Sequence, residues 1–246
     1  MGKIFDIKTV WTAIPQLLQY LPVTLEITVL SMVFGLILGL LLAIIKINRV
    51  PVLTQITTVI VSFVRGTPLI VQLYLSYTGI PLLLKYYNYE HGTNLNVNEV
   101  PALLFVLVTF AINEGAYNSE NIRAALQSVN KGQIEAAQSL GMTYSQVLRQ
   151  IILPEAFVVA LPTLGNTLIG LLKGTSLAFV CAVVEMTAQA KIFAGVNYRY
   201  FEVYLALAII YWGVTIIIEQ LIHLIEKKIA IPENVKLRSR KAGDWL

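Results

Sequence analysis

From Ile27 to Ile45 the chain carries no charged residue, and Glu26 and Lys46 bracket the run. A helix needs about 20 mostly apolar residues to cross a bilayer. Inside hydrocarbon every backbone N–H and C=O must find its partner within the segment, so a run of this kind becomes a spanning helix. Four more runs repeat the pattern. Val52 to Leu84 is broken only by Arg65. Val100 to Ala125 contains Glu114 and Glu120. Val147 to about Val184 surrounds Glu155, Pro162 and Lys173, and Tyr204 to Ile225 has Glu219 near its end. With 57% hydrophobic and 13% charged residues over 246 positions, too few charges remain to cover a soluble globule of this size, for which about 25% is usual. The fold class this predicts is all-α and polytopic, with about five transmembrane helices.

The second run is expected to be one long helix bent at Pro68. The fourth exceeds a simple span, so a broken or re-entrant continuation is expected near Lys173–Ser176. Lys and Arg set the orientation. Eleven of the eighteen fall in one alternating set of segments and five in the other, with Arg65 and Lys173 at membrane depth. The C-terminus is therefore expected on the cytoplasmic side and the N-terminus outside. The net charge of +4 then reflects cytoplasmic loops and not nucleic-acid binding. Val10, Trp11, Ile14, Leu17, Leu18 and Leu21 recur at helical spacing, which predicts an interfacial helix before the first span. Residues 1–19 are read as this N-terminal segment, 20–226 as the membrane domain and 227–246 as a basic cytoplasmic tail. Tyr86, Tyr87 and Tyr89 fit an aromatic belt at the outer membrane face, and Asn88–Asn98 a polar outer loop.

The loop between the third and fourth spans, 128–154, carries the most specific signal. Asn130 is placed as an N-cap, with Gln133 three residues on. Ile134, Ala137 and Leu140 then line one side, and Gly141 stands where a helix ends in the left-handed conformation. Thr143 and Gln146 form a second capping box. The helix so delimited is too short to be stable alone, so it requires a docking partner.

Within it, Glu135-Ala136-Ala137, three residues, Gly141, nine residues, then Ile151-Ile152-Leu153-Pro154 resembles the EAA loop of ABC importer permeases. Arg65-Gly66-Thr67-Pro68-Leu69 with Gln72-Leu73 is similar to a segment of the polar amino-acid branch of that family. So are Gly115-Ala116-Tyr117 with Glu120 and Arg123, and Leu153-Pro154-Glu155 through Asn166 to Lys173-Gly174-Thr175-Ser176-Leu177. Glu155 and Gly174 depart from the usual Gln and Asp. The resemblance runs from about Leu21 to Ile225.

It implies a type I ABC importer permease fold in a prokaryotic cell membrane. It further implies a second permease subunit, identical or homologous, two cytoplasmic ATP-binding cassette subunits, and an extracellular solute-binding protein that delivers a polar amino acid. Glu135, Ala136, Ala137 and Gly141 would contact the ATPases. ATP and Mg would bind those partners, because no Walker A loop occurs in this chain; the chain itself is then a transport subunit and not an enzyme.

Polar groups at membrane depth are expensive and are expected to face protein or water. Thr67, Gln72, Glu155 and Asn166 are the candidates for the substrate path. Glu155 and Asn166, eleven residues apart, share one helical stripe. Arg65, Glu114, Glu120, Lys173, Thr175 and Ser176 are read as structural or gating, with Arg65 expected to pair with a carboxylate of the third span. One Cys and two distant His leave no metal cluster. An ion-gradient-driven secondary transporter is the alternative; it would show matching interrupted helices in two halves, and no such repeat is visible. A membrane enzyme lacks a nucleophile–base set.

Overall fold

A computed structural model describes residues 5–96 and 99–229. The described residues are almost entirely helical: α1 (Ile7–Leu18), α2 (Leu21–Ile47), α3 (Leu53–Gly66), α4 (Leu69–His91), α5 (Ala102–Ser128), α6 (Lys131–Ser139), α7 (Leu153–Gly174), α8 (Met186–Asn197) and α9 (Tyr200–Ile229). A short turn of helix at Tyr144–Val147 and a π-helical turn at Leu148–Ile152 lead into α7, and a 3₁₀ segment, Thr175–Cys181, follows it. Four of these helical stretches are long and apolar enough to cross a membrane, or five if α3 and α4 count as one span.

The centre of the bundle is the parallel pair α2 and α5. Without a hydrophobic drive between helices in lipid, close backbone approach decides association, and small residues permit it. Gly35 and Gly39 meet α5 one turn apart. A Cβ on Gly35 would lie 2.6 Å from Glu114 Cβ, and one on Gly39 3.1 Å from Asn118 Cβ. Gly115 returns the arrangement and accommodates Leu38. Ile27, Leu73, Val106, Phe110, Leu171 and Cys181 close a core that joins α2, α4, α5, α7 and the 3₁₀ segment.

The second run is not one gently bent helix. α3 and α4 meet at 107°, because Thr67 (φ −113°, ψ 141°) and Pro68 (ψ 137°) are both extended. A residue before proline is pushed out of the α region and proline supplies no N–H. The freed carbonyls are recaptured: Gln72 Nε2 donates to Val64 O (2.7 Å) and Thr67 O (3.0 Å).

α1 docks one face on the helical bundle. Val10, Ala13 and Leu17 are buried against Met186, Ala190, Val203 and Ala206 of α8 and α9, while Trp11 and Leu18 of the expected stripe face outward. Asp6 caps α1 through Lys8 N, and its own N–H donates to Glu202 Oε1 at 3.1 Å. The helix thus has two apolar faces, one docked and one free. Of the expected C-terminal tail, residues from 230 onward lie outside the described residues.

Candidate functional site

At the α6 end, the loop folds as its capping residues dictate. Asn130 accepts from Gly132 N at 2.8 Å, and Thr143 and Gln146 form a reciprocal capping box. Gly141 has φ +83°, a value costly for most L-residues but open to glycine. Met142 N donates to Ala137 O (3.2 Å) and Gly141 N to Gln138 O (2.9 Å), closing the helix end. Ile134 packs toward Ala125, Val129 and Ala156, which ties α6 to α5 and α7; Ala137 is buried.

Leu140 is not on that inner face. α6 ends at Ser139, Leu140 is its C-cap, and the side chain is 85% exposed. The helical repeat that would have carried it inward stops one residue early. With Tyr144 (67% exposed) and exposed Glu135, Ala136 and Gly141 it leaves a small apolar patch rimmed by one carboxylate. Tyr144 carried no motif signal. A solvent-side tyrosine beside a glycine-capped helix would have been the hint.

The expected pairing of Arg65 with a carboxylate of α5 is not found among the described residues; Glu120 pairs with Lys46 and Arg123 instead. Its carboxylate accepts from Lys46 Nζ at 2.6 Å and from Arg123 at 2.7 and 2.9 Å. Arg65 makes no ion pair among the described residues. Its guanidinium lies 5.2 Å from the Tyr117 ring centroid. Lys46, Arg65, Tyr117 and Glu120 edge one open groove of about 390 Å³. The cation rests on an aromatic face, and Glu120 in the same groove is engaged by Lys46 and Arg123.

Glu114 is 8% exposed at the α2–α5 contact, and its Oε2 finds no hydrogen-bond partner. Thr67 Oγ1 donates to Phe63 O (3.0 Å) and accepts from Gln72 (2.9 Å), and Asn113 donates to Gln72 Oε1 (3.1 Å). Thr67 and Gln72 are thus brought together, at the helix break. Asn166 lines a different cavity of about 200 Å³ with Glu219, His223 and Glu226 of α9. Glu155, half-buried at the start of α7, is not beside either group. The four path candidates do not gather in one place.

Lys173 and Ser176 face a third cavity, about 470 Å³, with Thr187, Leu207, Tyr211, Trp212 and Thr215. Thr175 is buried and donates to Leu172 O at 2.7 Å. Glu185, fully buried, caps α8 by accepting from Thr187 N (2.9 Å) and Ala188 N (2.8 Å). Its role as an N-cap carries no sequence signal, since glutamate is not among the residues favoured at that position. The described residues hold no group of three or more His, Cys, Asp or Glu placed to ligate a metal.

Residues 35–231 match the model of the binding-protein-dependent transport system inner membrane component. The chain belongs to this family. It is 45% identical to the probable amino-acid permease protein YxeN of Bacillus subtilis (strain 168), over 90% of this chain and 94% of that one. It is 39% identical to the L-cystine transport system permease protein TcyL of the same organism, over 93% of each. Among solved structures, an amino acid ABC transporter crystallised with histidines aligns over 92% of this chain and 100% of that chain, with 35% identity and a TM-score of 0.77. The chain is therefore an inner-membrane permease subunit of a binding-protein-dependent ABC importer with the type I permease fold, and not an ion-driven secondary carrier.

Proposed function

We propose that this permease subunit carries a polar amino acid into the cell as half of an ATP-driven pore. What supports the reading is α6: a helix too short to stand alone, anchored by Ile134 and Ala137, with Glu135, Ala136, Leu140, Gly141 and Tyr144 left exposed. A partner ATPase occupies that patch. ATP and Mg belong to the ATPases, of which two sit beneath a pair of permeases, and a solute-binding protein delivers substrate from the opposite face. α6 is joined directly to α5 and, through Thr143–Ile152, to α7. Movement of the ATPases rocks both helices and alternates access to the path. Glu155 and Asn166 lie on one stripe of α7 and give the α6 end of the path a polar wall, while Thr67 and Gln72 shape it indirectly by fixing the α3–α4 angle.

The test is reconstitution in vesicles with the cognate ATPase and binding protein, followed by uptake of labelled L-cystine, L-glutamine and L-arginine. Uptake of one of them that requires ATP and both partners is expected. Uptake by the permease alone, driven by a sodium or proton gradient, would overturn the reading.

A further inference from the structure

The groove between α2, α3 and α5 holds more positive charge than its own carboxylate neutralises. It is open along one side, encloses about 390 Å³ and is lined in part by Lys46, Thr58, Ser62, Arg65, Tyr117 and Glu120. Glu120 is the carboxylate of that lining, and it serves both Lys46 and Arg123. Three cations therefore surround one anion. Arg65 is exposed, and its guanidinium makes neither an ion pair nor a hydrogen bond among the described residues. It rests over the Tyr117 ring, 5.2 Å from the centroid, and its N–H edge is left unmatched. A guanidinium stays charged at any pH a protein meets. In a membrane span it is costly unless an anion or water meets it.

The surroundings of Arg65 point to what meets it. Thr54, Thr58, Ser62 and Arg65 recur every three or four positions along α3, so they form one polar stripe. On the neighbouring face Val59, Ile60 and Phe63 are apolar and exposed, the composition of a surface in contact with acyl chains. Side chains on a helix lean toward its N-terminus. For α3 that is the end beside Lys46, which stands in the last turn of α2. Arg65 therefore leans toward the α6 end of the bundle, the cytoplasmic side by its excess of Lys and Arg. The leaflet on that side carries anionic lipids, and basic pockets between its spans bind their headgroups. The hydroxyl of Thr58 is already spent on Thr54 O at 2.7 Å, whereas Ser62, three residues before Arg65, is exposed and free to donate. Lys46 keeps N–H groups beyond the one given to Glu120.

We infer that this groove binds the phosphate of an anionic phospholipid from the cytoplasmic leaflet. The Arg65 fork takes two phosphate oxygens while its face stays on Tyr117. The Ser62 hydroxyl donates to the same group, and Lys46 supplies the second positive charge. The acyl chains then run along Val59 and Phe63. Such a lipid ties α3 to the α2–α5 pair, and its binding does not depend on which solute is carried.

The test is lipid binding by the full-length permease, stripped of bound lipid in a neutral detergent. It is titrated with phosphatidylglycerol or with phosphatidylcholine of the same acyl chains, and the lipid retained is read by native mass spectrometry. Phosphatidylglycerol is expected to bind saturably and at least about fivefold tighter, since choline cancels the headgroup charge that the groove attracts. It is also expected to raise the unfolding temperature, as a ligand of the folded state does. Arg65→Gln brings its binding down to the level of phosphatidylcholine. Arg65→Lys retains part of it, because the charge stays and the fork is lost. Lys85→Gln, which removes an exposed cation of α4 outside the groove, changes nothing. Should Arg65→Gln fail to fold, Ser62→Val gives the second reading: the position is exposed, the fold is kept, and binding weakens about threefold for one lost hydrogen bond. Equal affinity for the two lipids, or unchanged phosphatidylglycerol binding in Arg65→Gln or, where that variant does not fold, in Ser62→Val, overturns the inference. So does displacement of the lipid by millimolar inorganic phosphate, which would make the groove a site for free phosphate. A permease dimer that Arg65→Gln abolishes, with lipid binding unaffected, overturns it too and would put a carboxylate of a second copy on Arg65.

Discussion

Lys46 Nζ stands 2.6 Å from Glu120 Oε1, joining the last turn of α2 to α5, while Arg123 holds the other carboxylate oxygen at 2.7 Å. The pair is mostly withdrawn from solvent, with side chains 12% and 22% exposed. It is therefore worth more than a surface pair of about 0–1 kcal/mol, and losing one member leaves a cation stranded. Glu120→Gln is expected to destabilise the permease by about 1–3 kcal/mol. At about 2–4 °C per kcal/mol for a chain of this size, thermal unfolding in detergent falls by roughly 5 °C. Combining it with Lys46→Met recovers part of the loss. An unchanged melting temperature for Glu120→Gln would show that the pair holds nothing together.

The α2–α5 seam predicts an ordered series of glycine substitutions. A methyl on Gly35 meets Glu114 Cβ at 2.6 Å on a facing backbone that cannot give way, whereas a methyl on Gly170 in α7 meets nothing within 4 Å. Gly35→Ala is expected to cost about 1–3 kcal/mol through overpacking. Gly170→Ala is expected to be neutral or stabilising by up to about 1 kcal/mol, because alanine is the better helix former. Thermal unfolding of the two variants side by side decides it; equal stability would mean the seam is looser than its geometry.

The features that local chemistry fixes were readable in the sequence, and those set by neighbours were not. Gly141 announces a left-handed helix end and Thr143 with Gln146 a restart, since capping depends on residues three apart; both are present as expected. The spans follow equally directly from uncharged runs. Pro68 marks a break, but its angle of 107° depends on what α3 and α4 pack against, which no periodicity encodes. The same applies to the third-span carboxylates: charge alone offered Arg65 as a partner, and only the parallel register of α2 on α5 brings Lys46 to Glu120. The site candidates dispersed for that reason. Thr67 and Gln72 are adjacent because they hold one break, whereas Glu155 and Asn166 follow the axis of another helix.

Gly141 supports a prediction about coupling. At φ +83° a β-branched side chain is strained by on the order of 1–3 kcal/mol, whereas asparagine tolerates the left-handed region. Gly141→Val is expected to unseat the end of α6, leaving ATP hydrolysis without solute uptake. Gly141→Asn is expected to retain most transport. Paired measurements of ATPase rate and uptake in the reconstituted transporter separate the two. Loss of coupling in both variants would trace the effect to side-chain bulk at the partner surface, and loss in neither would remove Gly141 from the contact.

Leu140 provides the complementary case, a residue whose removal leaves the fold alone. Its side chain is 85% exposed, so Leu140→Asp forfeits no core packing and the melting temperature of the isolated permease is expected to move by less than about 1 kcal/mol equivalent. The cost falls on assembly, because an apolar anchor in an interface is replaced by a charge that must be desolvated there. Co-purification with the ATPase is expected to drop at least about tenfold, and ATP-driven uptake with it. Tyr144→Ala is expected to act in the same direction, and Gln138→Ala to act weakly. If Leu140→Asp assembles and transports like the unsubstituted chain, the exposed patch on α6 is not the surface through which ATP hydrolysis is felt.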